Sequence, residues 1–145
     1  MARPSILGSS PPTVTEVEAA RERCRAIPRI RGKLQNLERE KAEIKESMNR
    51  AESQTELELY EFMLSEKEQK YQQEAAKLDT LIRAIWDIPH TNARAVMVGF
   101  YLDGKALKEI RDSEGRTFGT NRCRHYKKLG LQMLALELRK TAEKS

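Results

Sequence analysis

The chain has few of the residues from which dense cores are built. Of its 145 residues only 6% are aromatic, whereas 34% are charged. A single compact globule is therefore not expected at this length. High charge combined with abundant Ala, Glu, Lys, Leu and Arg instead favours long helices or a coiled coil.

Cysteine and histidine are equally scarce, with two of each. Cys24 and Cys123 lie far apart and outside any Cys-x-x-Cys pattern, and no spacing groups them with His90 and His125 as four metal ligands. We expect two unreactive thiols in a reducing compartment, and no metal ion or cofactor. Gly-rich phosphate loops and Ser/His/Asp or Cys/His sets are also absent, so an enzyme is the least expected class.

Long apolar runs are missing as well. No stretch approaches the ~18 apolar residues of a membrane span. Near the start of the chain, Ile6-Leu7 is followed at once by Gly-Ser-Ser-Pro-Pro, which is unlike a signal-peptide core. The sequence therefore predicts a cytoplasmic protein without a membrane partner.

Positive charge is concentrated in one part of the chain. The formal net charge is +5, residues 1–86 carry equal numbers of basic and acidic side chains, and residues 87–145 hold the whole excess. A neutral first part and a basic second part suggest a spacer or oligomerisation region joined to an anion-binding region.

Composition and local signals divide the chain into three parts. Residues 1–12 are rich in Pro and Ser and are predicted to be a disordered tail. Residues 13–86 are predicted to be a helical, coiled-coil dimerisation region. It begins at Thr13 or Thr15, each of which starts a Thr-x-x-Glu capping box, and Pro28 is expected to break or kink its first helix.

Two apolar seams with alternating three- and four-residue steps follow Pro28. The first comprises Ile30, Leu34, Leu37, Ile44 and Met48, with Lys41 filling the gap, and the second runs from Leu57 to Ile85. Residues 49–54 lose the pattern and are predicted to form a turn, which makes an antiparallel hairpin of two helices the natural arrangement. Because the second seam is longer, its surplus needs a partner, and we expect a homodimer.

The last part, residues 87–145, is predicted to be a helix-turn-helix domain. Trp86-Asp87-Ile88-Pro89 should end the long helix, and Thr91 or Asn92 should cap the next one. A Gly turn, a short amphipathic helix, a polar turn and a final helix then follow. That final helix opens with cations and closes with leucines. The predicted fold is thus all-α: a long coiled-coil-like helical hairpin followed by a small trihelical helix-turn-helix domain.

Several motifs of this last part resemble phage transcription regulators of the ArpU/RinA type and region 4 of sigma-70-like factors. They are Tyr101-Leu102-Asp103-Gly104, Lys108-Glu109-Ile110, and the set Arg124, Tyr126, Lys127, Lys128, Gly130-Leu131 and Leu134. The resemblance covers about 45 residues. It implies a phage-encoded transcription regulator whose last helix reads DNA.

The turn of the motif departs from that family pattern and leaves two registers open. One places Asn121 in the core. The other places Phe118, Cys123, Gly130, Leu131 and Leu134 inward, and we prefer it because an unpartnered polar group in a core costs about 1–3 kcal/mol.

In the preferred register the outward side chains of the last helix can meet a duplex. They are Thr120, Asn121, Arg122, Arg124 and Lys128. Arg can bind guanine and Asn adenine through paired hydrogen bonds, although Asn121 can also serve only as a helix cap. Lys127, Lys128 and Arg116 are better suited to phosphate contacts.

The sequence therefore predicts a sequence-specific transcription regulator that binds double-stranded DNA. Two alternatives stay open. One is an adaptor that binds host RNA polymerase or another host protein through a degenerate helix-turn-helix. The other is a phage DNA-packaging subunit like a small terminase, although that class usually carries its DNA reader first in the chain.

Overall fold

The computed structural model describes residues 10–144, which form an all-helical protein. The elements are α1 (Val14–Arg25), α2 (Ile27–Asn49), α3 (Gln54–Trp86), α4 (Thr91–Met97), a π turn (Val98–Leu102), a 3-10 turn (Leu107–Glu109) and α5 (Thr120–Lys144). The predicted all-α class is confirmed. Of the tail predicted for residues 1–12, residues 1–9 lie outside the described part of the chain. Within residues 10–144, no helix is both long and apolar enough to cross a membrane.

The first helix begins and ends where the local signals predict. The amide of Glu16 donates to Thr13 Oγ1 at 3.1 Å, and the amide of Thr13 donates to Glu16 Oε1 at 2.9 Å. This reciprocal pair is the predicted capping box. Pro28 lies in the first turn of α2, where its missing N–H breaks no helical hydrogen bond, so the chain starts a new helix there.

The chain divides into two compact units, which we call unit 1 and unit 2. Unit 1 comprises the residues up to Arg25 together with those from Leu81 onward, and unit 2 comprises Ala26–Thr80. In unit 1, α1 packs against α5. Helical periodicity places α1 in one region with α2 and α3, because it carries no information about which distant helix an amphipathic face meets.

Unit 2 consists of α2 and most of α3, joined by residues 50–53 at the position of the predicted turn. Ser53 Oγ accepts from the amide of Glu56 and caps α3. Ion pairs between the helices join an early part of α2 to a late part of α3, and a later part of α2 to an earlier part of α3. They are Lys33–Glu74 at 3.1 Å, Glu40–Lys67 at 2.8 Å and Lys41–Glu68 at 2.5 Å. The two helices are therefore antiparallel.

Unit 1 contains an apolar core on the inner face of α5. Val96, Ile110, Phe118 and Cys123 form a buried cluster, and further along α5 Leu131 and Leu134 are fully buried. The preferred register of the sequence analysis is confirmed at each of its inward positions. Gly130 is also buried, and a Cβ there would collide with Met97 Cγ and lie 3.3 Å from the carbonyl oxygen of Ala93. The two helices thus approach closely at a glycine, as expected.

The start of α4 differs from the prediction. His90, and not Thr91 or Asn92, caps the helix, because its Nδ1 accepts from the amide of Ala93 at 3.2 Å. Asn92 instead lies inside the first turn and donates its side-chain amide to the hydroxyl of Tyr126 at 3.3 Å. His90 has the extended backbone that is typical of an N-cap residue.

The short amphipathic helix predicted after Gly104 is reduced to the single 3-10 turn. Residues 110–118 instead form a narrow loop, in which the amide of Phe118 donates to the carbonyl of Ile110 and Arg111 bridges to Thr117. At its tip Asp112 Oδ1 accepts from the amides of Glu114 and Arg116, both at 2.9 Å. The backbones of Ala106 and Ile110, on either side of the 3-10 turn, are extended, so the helix does not continue beyond that turn.

Candidate nucleic-acid interface

The loop before α5 is held in place by a close backbone approach. The π turn brings Gly99 to Ile110, so that a Cβ at Gly99 would lie 3.1 Å from Ile110 Cγ1. Ile110 and Phe118 then close the core beneath the loop, and Cys123 Sγ lies 3.2 Å from the carbonyl oxygen of Leu107. The first turn of α5 is therefore mounted on the core.

The side of α5 opposite its buried face carries the predicted DNA-contacting residues. Asn121, Arg124, His125 and Lys128 are all exposed and follow the i, i+3, i+4, i+7 spacing of one helix face. Thr120 and Arg122 are exposed beside this stripe. Within the described residues Arg124 and Lys128 form no ion pair, so their charges are directed at solvent.

Arg122 is anchored by aromatic neighbours. Its guanidinium lies 5.7 Å from the ring centroids of both Phe118 and Tyr126, and its Nη2 donates to the Tyr126 hydroxyl at 3.4 Å. The hydrogen bonds from Arg122 and Asn92 lower the pKa of Tyr126 below its usual value. An arginine restrained in this way loses less side-chain freedom when it binds an anion.

Lys127 does not lie where the sequence analysis placed it. Its ammonium lies 4.3 Å from the ring centroid of Phe100 and 5.9 Å from that of Tyr101, and the residue is half-buried. Desolvation lowers the pKa of Lys127, and the nearby cations, Arg21 first, lower it further. Packing of its aliphatic stem on aromatic rings is favourable, which accounts for the inward turn.

Arg116 is exposed but its charge is already paired. Its guanidinium forms ion pairs with Glu114 and, through Nε at 3.9 Å, with Asp112. Both acidic residues precede Arg116 closely in the sequence, and the tight loop brings their carboxylates onto its guanidinium. We therefore expect Arg116 to contribute less to anion binding than Arg124.

Two cations of α1, which the sequence pattern did not connect with α5, lie near Lys127. Arg21 and Arg25, like Arg124, are close enough to lower the pKa of Lys127. Their i, i+4 spacing on α1 was visible, but only the packing of α1 on α5 brings them near Lys127. Each also pairs with an acidic residue on its own helix, Glu18 and Glu22 respectively. Helices from both ends of the chain thus contribute cations to the surroundings of Lys127.

Within residues 10–144, no group of three or more His, Cys, Asp or Glu side chains is arranged so that it could hold a metal ion. Burial raises the pKa of the Cys24 thiol to about 12 and also raises that of Cys123. Comparison with family models, with curated proteins and with solved structures finds no match for the chain. The inference of function therefore depends on the geometry of the exposed cations.

Proposed function

We propose that the chain binds double-stranded DNA through the first half of α5 and acts as a sequence-specific transcription regulator. The supporting observation is the exposed stripe containing Asn121, Arg124 and Lys128, which lies opposite a fully buried apolar face. Seven residues separate its ends, so the stripe rises about 10 Å, close to the ~12 Å width of the major groove.

Within this proposal the residues have different tasks. Arg124 and Lys128 neutralise phosphates and position the helix. Arg122 and Asn121, nearest the start of α5, contact base edges. The loop of residues 103–119 replaces the second helix of a regular helix-turn-helix and supports α5 through Ile110 and Phe118.

The proposal also assigns a task to each group of helices, and the sequence patterns support these assignments. We assign α2 and α3 to a coiled-coil-like hairpin through which two copies pair, and α4 to α5 to a modified helix-turn-helix. Because the sequence resembles phage regulators of the ArpU/RinA type, the same hypothesis includes a phage-encoded protein that acts together with host RNA polymerase.

Fluorescence anisotropy with labelled duplex DNA tests the proposal. The double variant Arg124→Ala, Lys128→Ala should lower affinity, and its plot of log K against log salt should be shallower by about 0.9 per lost phosphate contact. The matched control Arg39→Ala, Lys45→Ala removes two exposed cations from α2 and should bind like the wild type. Equal losses in both variants, or none in the first, contradict the proposal.

Sequence specificity needs a separate measurement. Selection of bound duplexes from a random pool should enrich a common motif for the wild type. Arg122→Ala should relax the preference at one position of that motif, with a cost of about 1–3 kcal/mol for the preferred base. Enrichment without any motif would reduce the proposal to non-specific DNA binding.

An adaptor that binds host RNA polymerase is the second candidate. It is favoured by the exposed apolar side chains Leu59, Phe62 and Met63 on α3, since contiguous exposed apolar residues mark protein-binding surfaces. Sedimentation of the chain with purified bacterial RNA polymerase distinguishes this function from DNA binding. The wild type should co-sediment with the polymerase, and Phe62→Ser should not.

A further inference from the structure

Unit 1 has a groove on α4 and the π turn that the proposed DNA interface does not use. Its volume is about 310 Å³, and its apolar lining includes Val98, Gly99, Ile110 and the indole of Trp86. Trp86, the only tryptophan of the chain, is 54% exposed. A groove of this volume can hold one large side chain of a protein partner.

The rim of this tryptophan groove is predominantly positive. Arg94, Lys105 and Arg111 line it, and Asp103 is the only acidic residue among its lining side chains. Arg94 Nη1 donates to the carbonyl of Ile88 and Arg111 Nη1 to the carbonyl of Gly115, so both guanidiniums are held in position. The groove therefore suits an apolar side chain with carboxylates beside it.

A surface of that chemistry occurs on α3 in unit 2. Leu59, Phe62 and Met63 are 60%, 63% and 45% exposed and lie within little more than one helical turn. Exposed glutamates stand among them at positions 58, 61 and 66. We call this surface the acidic apolar patch.

We propose that the acidic apolar patch of one copy docks in the tryptophan groove of a second copy, with Phe62 as the side chain that enters it. Phe62 then packs beside Trp86, and Glu58 and Glu61 meet Lys105 and Arg111. The inference rests on the pairing of two copies proposed above, names the tryptophan groove of unit 1 as the surface that receives the hairpin, and is independent of DNA binding.

Charge decides between this arrangement and direct pairing of two patches. In an antiparallel pairing centred on Phe62, Glu58 of one copy faces Glu66 of the other, and like charges in contact oppose association. The groove offers three cations to the same carboxylates. Aromatic pairs such as Phe62 with Trp86 add attraction beyond the burial of their area.

Reciprocal charge reversal tests the proposal. The wild type should change from a single chain to a larger species in sedimentation velocity as its concentration is raised, and this association should weaken at high salt. The patch variant Glu58→Lys, Glu61→Lys and the groove variant Lys105→Glu, Arg111→Glu should each remain single chains. An equimolar mixture of the two variants should pair again, because each patch then meets a groove of opposite charge.

Trp86 provides a second readout within the full chain. Its emission should shift to shorter wavelength on association in the wild type and in the mixture, because docking buries an exposed indole, and it should not shift in either variant alone. Exposed Glu43 and Lys108 are not among the residues of either surface, so the single reversals Glu43→Lys and Lys108→Glu serve as controls that should pair normally.

A wild type that stays a single chain at all concentrations, or variants that pair as well alone as when mixed, would overturn the proposal. Phe62→Ser separates it from the DNA hypothesis, because the substitution changes no charge. At dilutions where the wild type is a single chain, Phe62→Ser should bind duplex DNA with unchanged affinity while its self-association is lost.

Discussion

The interiors of the two units of this chain are built from different side chains. Unit 1 buries apolar side chains completely, among them Leu131, Leu134 and Ile85. Unit 2 has a mostly half-buried seam and places a lysine, Lys41, in it at 8% exposure, where its ammonium pairs with Glu38 and Glu68. The difference indicates that close apolar packing fixes the helices of unit 1, whereas unit 2 depends on charge pairing to specify the register of its two helices.

This division matches the proposed tasks. A DNA-contacting helix needs its arginines held in fixed positions, and α5 achieves this with a buried face and with rings that restrain Arg122. A pairing hairpin needs a defined antiparallel register, which three interhelical ion pairs supply. The same kind of substitution should therefore have unequal effects in the two units.

Leucine truncation should show the largest contrast. Leu131→Ala removes a fully buried side chain and should lower the free energy of unfolding by about 3–4 kcal/mol, whereas Leu64→Ala in the half-buried seam should cost about 1–2 kcal/mol. Urea unfolding measures both, with Trp86 fluorescence reporting unit 1 and far-ultraviolet circular dichroism reporting all helices. Equal costs would show that the seam of unit 2 is as tightly packed as the core of unit 1.

Replacement of a glycine by alanine should change the free energy of unfolding in opposite directions in the two units. At Gly32 a Cβ meets nothing within 4 Å, so Gly32→Ala should stabilise α2 by about 1 kcal/mol through helix propensity. At Gly130 the collision with Met97 outweighs that gain, and Gly130→Ala should destabilise by about 1–2 kcal/mol. If both substitutions stabilise, Met97 moves aside and the approach of α4 to α5 is looser than the structure shows.

Much of the fold was predictable because its signals are local. The capping box at Thr13, the new helix at Pro28, the turn after Asn49 and the inward face of α5 each depend on residues within one or two helical turns. Phe118 and Cys123 could be assigned to the core because the alternative register would have buried Asn121.

The remaining features depend on tertiary contacts and backbone conformations that helical periodicity does not report. Lys127 turns onto Phe100, and Arg21 lies near Lys127 only because α1 packs on α5. The second helix that the sequence predicts is reduced to one 3-10 turn because the backbones of Ala106 and Ile110 on either side of it are extended. Of the candidate site, the exposed stripe could be predicted from the sequence. The pairing of Arg116 with acidic side chains and the inward turn of Lys127 could not.

Lys41 offers a test of how unit 2 is specified. Lys41→Met places an apolar chain of similar length in the seam and should keep or raise the urea midpoint of unit 2, because a well-packed apolar residue often replaces a buried ion pair without loss. Lys41→Ala should lower it, since the ring of Tyr71 loses the ammonium 4.5 Å away and Glu68 loses its partner. Exposed Lys45→Met is the control, and the Trp86 midpoint should change in none of them. A Lys41→Met variant as unstable as Lys41→Ala would show that the ion pairs themselves stabilise the hairpin.

The smallest expected effect concerns the contact between α1 and α5. Hydrogen bonds from Arg139 and from the Thr13 amide lower the pKa of Glu16 from 4.5 to about 2. Because the folded pKa is the lower one, this interaction stabilises unit 1 fully above pH 4.5 and is lost as the pH falls toward 2. The Trp86 urea midpoint of Glu16→Gln should therefore lie below that of the wild type near neutral pH and converge with it in acid. Glu22→Gln, an exposed carboxylate on the same helix, should follow the wild type throughout. Equal midpoints for Glu16→Gln and the wild type at neutral pH would mean that Glu16 acts through helix capping alone, because a Gln side chain can keep the capping box, and that the ion pair with Arg139 does not contribute to the packing of α1 on α5.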